Sequence, residues 1–156
     1  MQDNNPNNLA EQIMNLTDRY GIDRELLHLE ITESVYTDEP EYIVRTVKEL
    51  RDSGFKIEMD DFGSGYSSLN TLKDTQFDVL KIDRTFLNDF IGSDRGQKIV
   101  EHTIKMAKSI GIDLIAEGVE TKEQADFLND CGCSIAQGFY YAKPMPVDLF
   151  ETNYVQ

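Results

Sequence analysis

Four times along this chain an apolar stripe at helical spacing stops at a glycine and gives way at once to a short run rich in Leu, Ile and Val. Leu9, Ile13, Leu16 and Tyr20 form the first stripe, which ends at Gly21 before Leu26 to Ile31. Ile43, Val47 and Leu50 form the second; Thr37-Asp38-Glu39-Pro40 opens it with a cap and a first-turn proline, and Gly54 closes it before the run that ends in Asp60-Asp61. Ile99, Thr103, Ala107 and Ile110 form the third, closed by Gly111 before Asp113 to Glu117. The fourth opens with Thr121-Lys122-Glu123-Gln124, the pattern of a capping box, carries Ala125 and Leu128, and stops at Gly132 before Ser134 to Gln137. One more strand, Phe77 to Asp83, lies between the second and third stripes, after a connection from Leu69 to Thr75 that reads as one or two helical turns.

Strands that alternate with helices need crossover connections and a parallel sheet, and near-continuous aliphatic strands mean that both faces are covered. The fold class expected is therefore α/β. Polar residues choose between an open sheet and a barrel: Glu30, Asp60, Lys81, Glu117 and Gln137 fall at or near the carboxyl ends of successive strands, where a β/α barrel gathers its active site. A complete eight-stranded barrel takes about 250 residues, roughly 31 per unit. The 156 residues then amount to a partial (β/α)8 TIM-type barrel of about five parallel strands with surrounding helices. The expectation is one domain over residues 1–156, truncated on its N-terminal side, because nothing in the asparagine-rich start resembles a strand.

Charge narrows the partners. A net charge of −14 repels a phosphate backbone, which argues against a groove for long nucleic acid but not against a small anion held through divalent cations. No apolar run is long enough to cross a bilayer and the start lacks the pattern of a signal peptide, so a cytoplasmic location is expected. Cys131 and Cys133, one glycine apart, are too close for an easy disulfide and too few for a structural zinc site.

Strand alternation puts His28, Glu30 and Thr32 on one face, the face that Asp60 also uses. Alone, Glu30 reads as a solvent-paired carboxylate at a strand end. Together with Asp60, Asp61 and Glu117 it has a second reading, in which Asp60 bridges two cations about 3.5–4 Å apart in a phosphoester site. Lys81 likewise has two readings: a salt bridge to Asp83 or to a mouth carboxylate, or a group that holds the attacking water and offsets phosphate charge.

The segments Glu30-Ile31-Thr32-Glu33-Ser34, Asp60-Asp61-Phe62-Gly63-Ser64-Gly65-Tyr66-Ser67-Ser68-Leu69, Leu80-Lys81-Ile82-Asp83, Ala116-Glu117-Gly118-Val119-Glu120-Thr121 and Gln137-Gly138-Phe139-Tyr140-Tyr141-Ala142-Lys143-Pro144 occur in the order and approximate spacing of one family. The chain resembles the EAL-type cyclic di-GMP phosphodiesterase domain. The resemblance implies hydrolysis of cyclic di-GMP to linear pGpG with two divalent cations, magnesium or manganese. It implies that Glu30 and Asp60 bind the first cation, that Asp60, Asp61 and Glu117 serve the second, that Lys81 acts on water, and that Gln137 lines the substrate pocket. Glu33 would anchor the loop formed by Phe62, Gly63, Ser64 and Gly65, which couples dimer contacts to metal binding.

Two features depart from the family. The glutamate of the Glu-Ala-Leu signature and the asparagine ligand of the following strand have no counterpart here, so the expectation is that this chain alone is inactive or nearly so. An open strand edge near Leu26 to Ile31 leads to a second expectation, that a homodimer partner or another segment covers it. Glu58, on the Asp60 face, stands where such domains tend to carry a small or apolar residue; a salt bridge to Lys56 or to a neighbouring strand is the default reading. Two further functions compete with the enzyme: a non-catalytic cyclic di-GMP-binding, regulatory or dimerisation module, and an enolase-like barrel, against which the tandem Asp60-Asp61 argues.

Overall fold

The computed structural model describes residues 9–38, 40–63 and 68–155. Helix α1 (Leu9–Tyr20) and a 3-10 turn (Arg24–Leu26) lead into β1 (His28–Thr32). There follow α2 (Glu33–Asp38), α3 (Pro40–Asp52), β2 (Lys56–Phe62), α4 (Ser68–Asp74), β3 (Val79–Ile82), α5 (Arg84–Ile91), α6 (Asp94–Ser109), β4 (Asp113–Ala116), α7 (Lys122–Asp130), β5 (Ile135–Ala136) and α8 (Val147–Tyr154). The five strands form one sheet in the order β1-β2-β3-β4-β5, every pair parallel. This is the expected α/β architecture. Each strand pairs with the next one in the chain, as in a barrel wall.

Local chemistry explains where the elements stop and start. Pro40 opens α3, where its missing N–H costs nothing. At α7 the capping box is closed in both directions: Gln124 N–H donates to Thr121 Oγ1 (3.2 Å) and Thr121 N–H donates to Gln124 Oε1 (3.1 Å). The first strand starts at His28 rather than Leu26, because Asp23 accepts from the Glu25 N–H and caps the 3-10 turn that occupies residues 24–26. Helices α2, α5 and α8 have no counterpart among the apolar stripes.

Outward-facing Ile57, Met59, Leu80, Ile82, Leu114 and Ala116 pack beneath the helices and are almost fully buried. Val47 and Leu50 of α3, Val100, Ile104 and Ala107 of α6 and Leu128 of α7 cover them. Two stripes are rotated from their expected faces. In α6 the buried row is Gly96, Val100, Ile104 and Ala107, while Ile99 and Ile110 are exposed. In α1 the buried residues are Ala10 and Thr17, with Ile13 and Met14 partly covered; Leu9, Leu16 and Tyr20 face outward. Thr17 is accepted in the interior because its hydroxyl donates back to the Met14 carbonyl (2.8 Å).

At the amino end of the sheet Arg51 forks onto Asp78, Nε to Oδ2 at 3.1 Å and Nη2 to Oδ1 at 3.0 Å, and the Ile57 N–H donates to the same carboxylate at 3.0 Å. Burial pushes the Asp78 carboxyl up, but the Arg51 and Ile57 hydrogen bonds outweigh it and hold it below the ordinary value. This clamp ties α3, β2 and the entry to β3 together at the end opposite the polar cluster. No helix among the described residues is long and apolar enough to cross a membrane.

Candidate functional site

Alternation and register fix the inner face of the sheet: His28, Glu30 and Thr32 on β1, Glu58 and Asp60 on β2, Val79 and Lys81 on β3. Glu117 follows β4 directly, and its N–H donates to the Ile82 carbonyl (2.9 Å); Gln137 follows β5, with its N–H on the Ala116 carbonyl (2.8 Å). Backbone bonds of this kind extend the ladder by one residue and set both side chains at the mouth.

Lys81 is the hub. Its ammonium lies 2.7 Å from Glu30 Oε1, 2.8 Å from Glu117 Oε1 and 3.4 Å from Asp60 Oδ1. Gln137 Nε2 donates to the same Glu117 Oε1 at 2.5 Å. Burial alone would push the lysine pKa down; hydrogen bonds to Glu117 and Glu30, with the Asp60 charge beyond them, reverse this and push it well above the ordinary lysine value. The ammonium is held in place as a hydrogen-bond donor to Glu30 and Glu117. Of the two sequence readings of its contacts, the pairing is with mouth carboxylates. Asp83 is engaged elsewhere, accepting from the Thr85 N–H (2.7 Å) and the Thr85 hydroxyl at the start of α5.

Adjacent residues on a regular strand face opposite ways, so Asp60 and Asp61 need a device to share one mouth. The device is a bulge. Register between β2 and β3 shifts between Met59 and Phe62, with Met59 opposite Leu80 and Phe62 opposite Ile82, and Asp61 has a left-handed φ of 59°. Asp61 senses the cluster: burial first, then the Asp60 and Asp83 charges, raise its carboxyl above the ordinary 3.8, and Glu33 adds to the same effect. Glu33, at the first position of α2, is buried to 3% exposure. Phe62 ends β2 inside the core. Gly63 follows at φ 94°, where a Cβ would sit 2.4 Å from the Phe86 ring; Ser64 and Gly65 lie outside the described residues.

The donor set suits a hard cation: Glu30, Asp60 and Glu117 offer carboxylate oxygens around one positive charge, the chemistry that magnesium and manganese prefer. Among the described residues, however, no three His, Cys, Asp or Glu side chains are gathered into a metal-binding group. They converge on the lysine ammonium instead.

The profile of the EAL domain matches residues 2–144. The chain belongs to the EAL domain family. It is 38% identical over 142 residues to the cyclic di-GMP phosphodiesterase RocR of Pseudomonas aeruginosa, covering 91% of this chain and 36% of RocR. The EAL domain of Mycobacterium smegmatis DcpA superposes with a TM-score of 0.86 at 37% identity, over 94% of this chain and 66% of that one. Klebsiella pneumoniae BlrP1, solved as a complex with manganese and cyclic di-GMP, superposes at 0.80 with 32% identity, over 86% of this chain and 34% of BlrP1. The chain thus spans well under two thirds of the length of the curated relatives it matches.

The structure brings Glu30, Asp60, Lys81, Glu117 and Gln137 of this EAL chain into one cluster and sets Asp61 beside it. Sequence reasoning missed two contributors to the geometry. One is the bulge, which carries no glycine to announce it. The other is the identity of the Glu58 partner: of the two expected, Lys56 or a neighbouring strand, it is the neighbouring strand, through His28, with Nδ1 at 2.5 Å from Glu58 Oε1. His28 lies on the same face by simple alternation, and that was the available signal.

Proposed function

We propose that this EAL chain carries the late-strand half of a site that hydrolyses one phosphodiester of cyclic di-GMP, giving linear pGpG. One observation carries the reading: a buried Lys81 held among Glu30, Asp60 and Glu117 at the carboxyl end of the sheet, with Gln137 attached to the same cluster. Glu30 and Asp60 would hold a first divalent cation, magnesium or manganese, and Asp60, Asp61 and Glu117 a second. Bound there, the cations supply Lewis acidity to the phosphate and lower the pKa of the attacking water. Lys81 donates a hydrogen bond to that water or to a phosphoryl oxygen and offsets developing negative charge, from a position already fixed among the mouth carboxylates. Glu117 fixes the lysine, and Gln137 contacts the nucleotide from the β5 side. Glu33, buried at the start of α2, would anchor the loop that begins at Phe62. In this reading residues 1–156 act as one domain in the cytoplasm, and they pair as a homodimer or with further chain along the exposed strand edges.

Two ligands that the family resemblance implies, the glutamate of the Glu-Ala-Leu signature and the asparagine of the following strand, have no counterpart in the 156 residues, and on this reading they turn over little or no substrate alone. That favours a second reading, a non-catalytic module that binds cyclic di-GMP or regulates a partner; the absence of a gathered metal cluster among the described residues supports it. The test is an assay of cyclic di-GMP with magnesium or manganese, on this chain and on one extended upstream. The expected result is pGpG from the extended chain, abolished by Lys81→Met, and none above background from the 156 residues. Metal-dependent turnover by the short chain overturns its inactivity; binding without turnover by the extended chain establishes the second reading.

A further inference from the structure

We propose that His28 and Glu58 are a positioning pair that clamps the edge strand β1 to β2 and thereby holds the Glu30 carboxylate on Lys81. The proposal rests on the reading of the mouth cluster given above.

The two residues lie on the inner face, each two positions before a mouth carboxylate: His28 precedes Glu30 on β1, and Glu58 precedes Asp60 on β2. Glu58 stands opposite Glu30 in the register and His28 opposite Lys56, so the 2.5 Å contact is a diagonal that spans the two strands one layer below Lys81. Glu58 is buried, its side chain 6% exposed, and a carboxylate so placed needs a hydrogen-bond donor. On the β3 side its register partner is Val79, which offers none. The partner comes from β1, where the His28 Nδ1–H donates.

Glu30 is the carboxylate that most needs such support. Its side chain is 51% exposed, against 20% for Asp60 and 18% for Glu117, and β1 has a single strand neighbour among the described residues. Asp60 is held by a strand paired on both sides; Glu30 hangs from an edge. A polar rung immediately below it supplies a second fixed point on that edge. This also accounts for a carboxylate at position 58, where the family resemblance leads one to expect a small or apolar residue.

The test reads the contact itself. In the isotopically labelled 156-residue chain, scalar couplings across hydrogen bonds link the Lys81 ammonium nitrogen to the carboxyl carbons of Glu30 and Glu117. Wild type is expected to show both. Glu58→Ala is expected to lose the Glu30 coupling and keep the Glu117 coupling, and Glu58→Gln, whose carbonyl accepts the same Nδ1–H, to restore both. If Glu58→Ala does not fold, the double variant His28→Ala, Glu58→Ala, which strands neither partner, is read in the same way. Retention of the Glu30 coupling in either alanine variant overturns the proposal, as does its absence from wild type or an equal loss of both couplings, the mark of a merely structural role. A parallel manganese titration followed by electron paramagnetic resonance separates the two readings: no ion bound by an upstream-extended chain overturns the metal site, while the coupling pattern decides the pair on its own.

Discussion

Asp61 is the residue where stability and chemistry pull hardest against each other. Its carboxyl is raised above 3.8 by burial and by the Asp60 and Asp83 charges. A group with a raised folded-state pKa contributes stability below its unfolded value and loses it as the pH climbs through the folded one. At neutral pH, then, ionised Asp61 is a net cost to the chain. Asparagine keeps the shape, tolerates the left-handed φ of 59° and removes the charge. Asp61→Asn is expected to stabilise the metal-free chain slightly at pH 7, an effect limited by solvent screening and read as a higher thermal midpoint without divalent ions; a lower midpoint refutes the assignment of strain. Most of the candidate cluster was legible at this scale, since Glu30, Asp60, Lys81, Glu117 and Gln137 all fall within two residues of a strand's carboxyl end and the structure joins them. What alternation could not deliver was Asp61, because a regular strand turns it away, and only the extra residue between Met59 and Phe62 returns it.

At the scale of elements, the helix stripes show why the rest was hidden. Leu9, Ile13, Leu16 and Tyr20 repeat with the same helical period as Ala10, Ile13, Met14 and Thr17, and the period alone cannot say which row faces inward. The row with small Ala10 and self-satisfied Thr17 is the buried one, because α1 packs closely on α3. Helices α2 and α5 escaped notice for another reason: α2 begins directly after β1 and α5 a single residue after β3, leaving almost no loop to mark a boundary. The turn from β2 is tightly specified. Gly63→Ala combines a φ of 94° with a Cβ 2.4 Å from the Phe86 ring of α5. It is expected to destabilise the chain by about 2 kcal/mol or more, measured by urea unfolding; a change within about 0.5 kcal/mol of wild type would show that the ring moves aside freely.

For the whole molecule the unusual feature is its surface. Leu16 and Tyr20 of α1 are 53% and 69% exposed, and Leu26 of the 3-10 turn that leads into the edge strand β1 is 81% exposed. Apolar groups beside unpaired strand backbone favour association, and a charge of −14 opposes it most at low salt. The 156-residue chain is expected to reach twice the monomer mass in light scattering, more completely as salt is raised. A monodisperse monomer at every salt concentration defeats the homodimer proposal.

The sequential order β1-β2-β3-β4-β5 bears on how such a molecule comes into being. No strand is inserted between two others, so the sheet can grow outward in the order of synthesis. Among these five strands Glu30 and Asp60 precede Lys81, two like charges on adjoining strands that repel until Lys81 joins from β3. Glu117 and then Gln137 follow. The growing wall is electrostatically frustrated at two strands and relieved at the third, which makes the docking of β3 the earliest point at which the mouth holds its own shape.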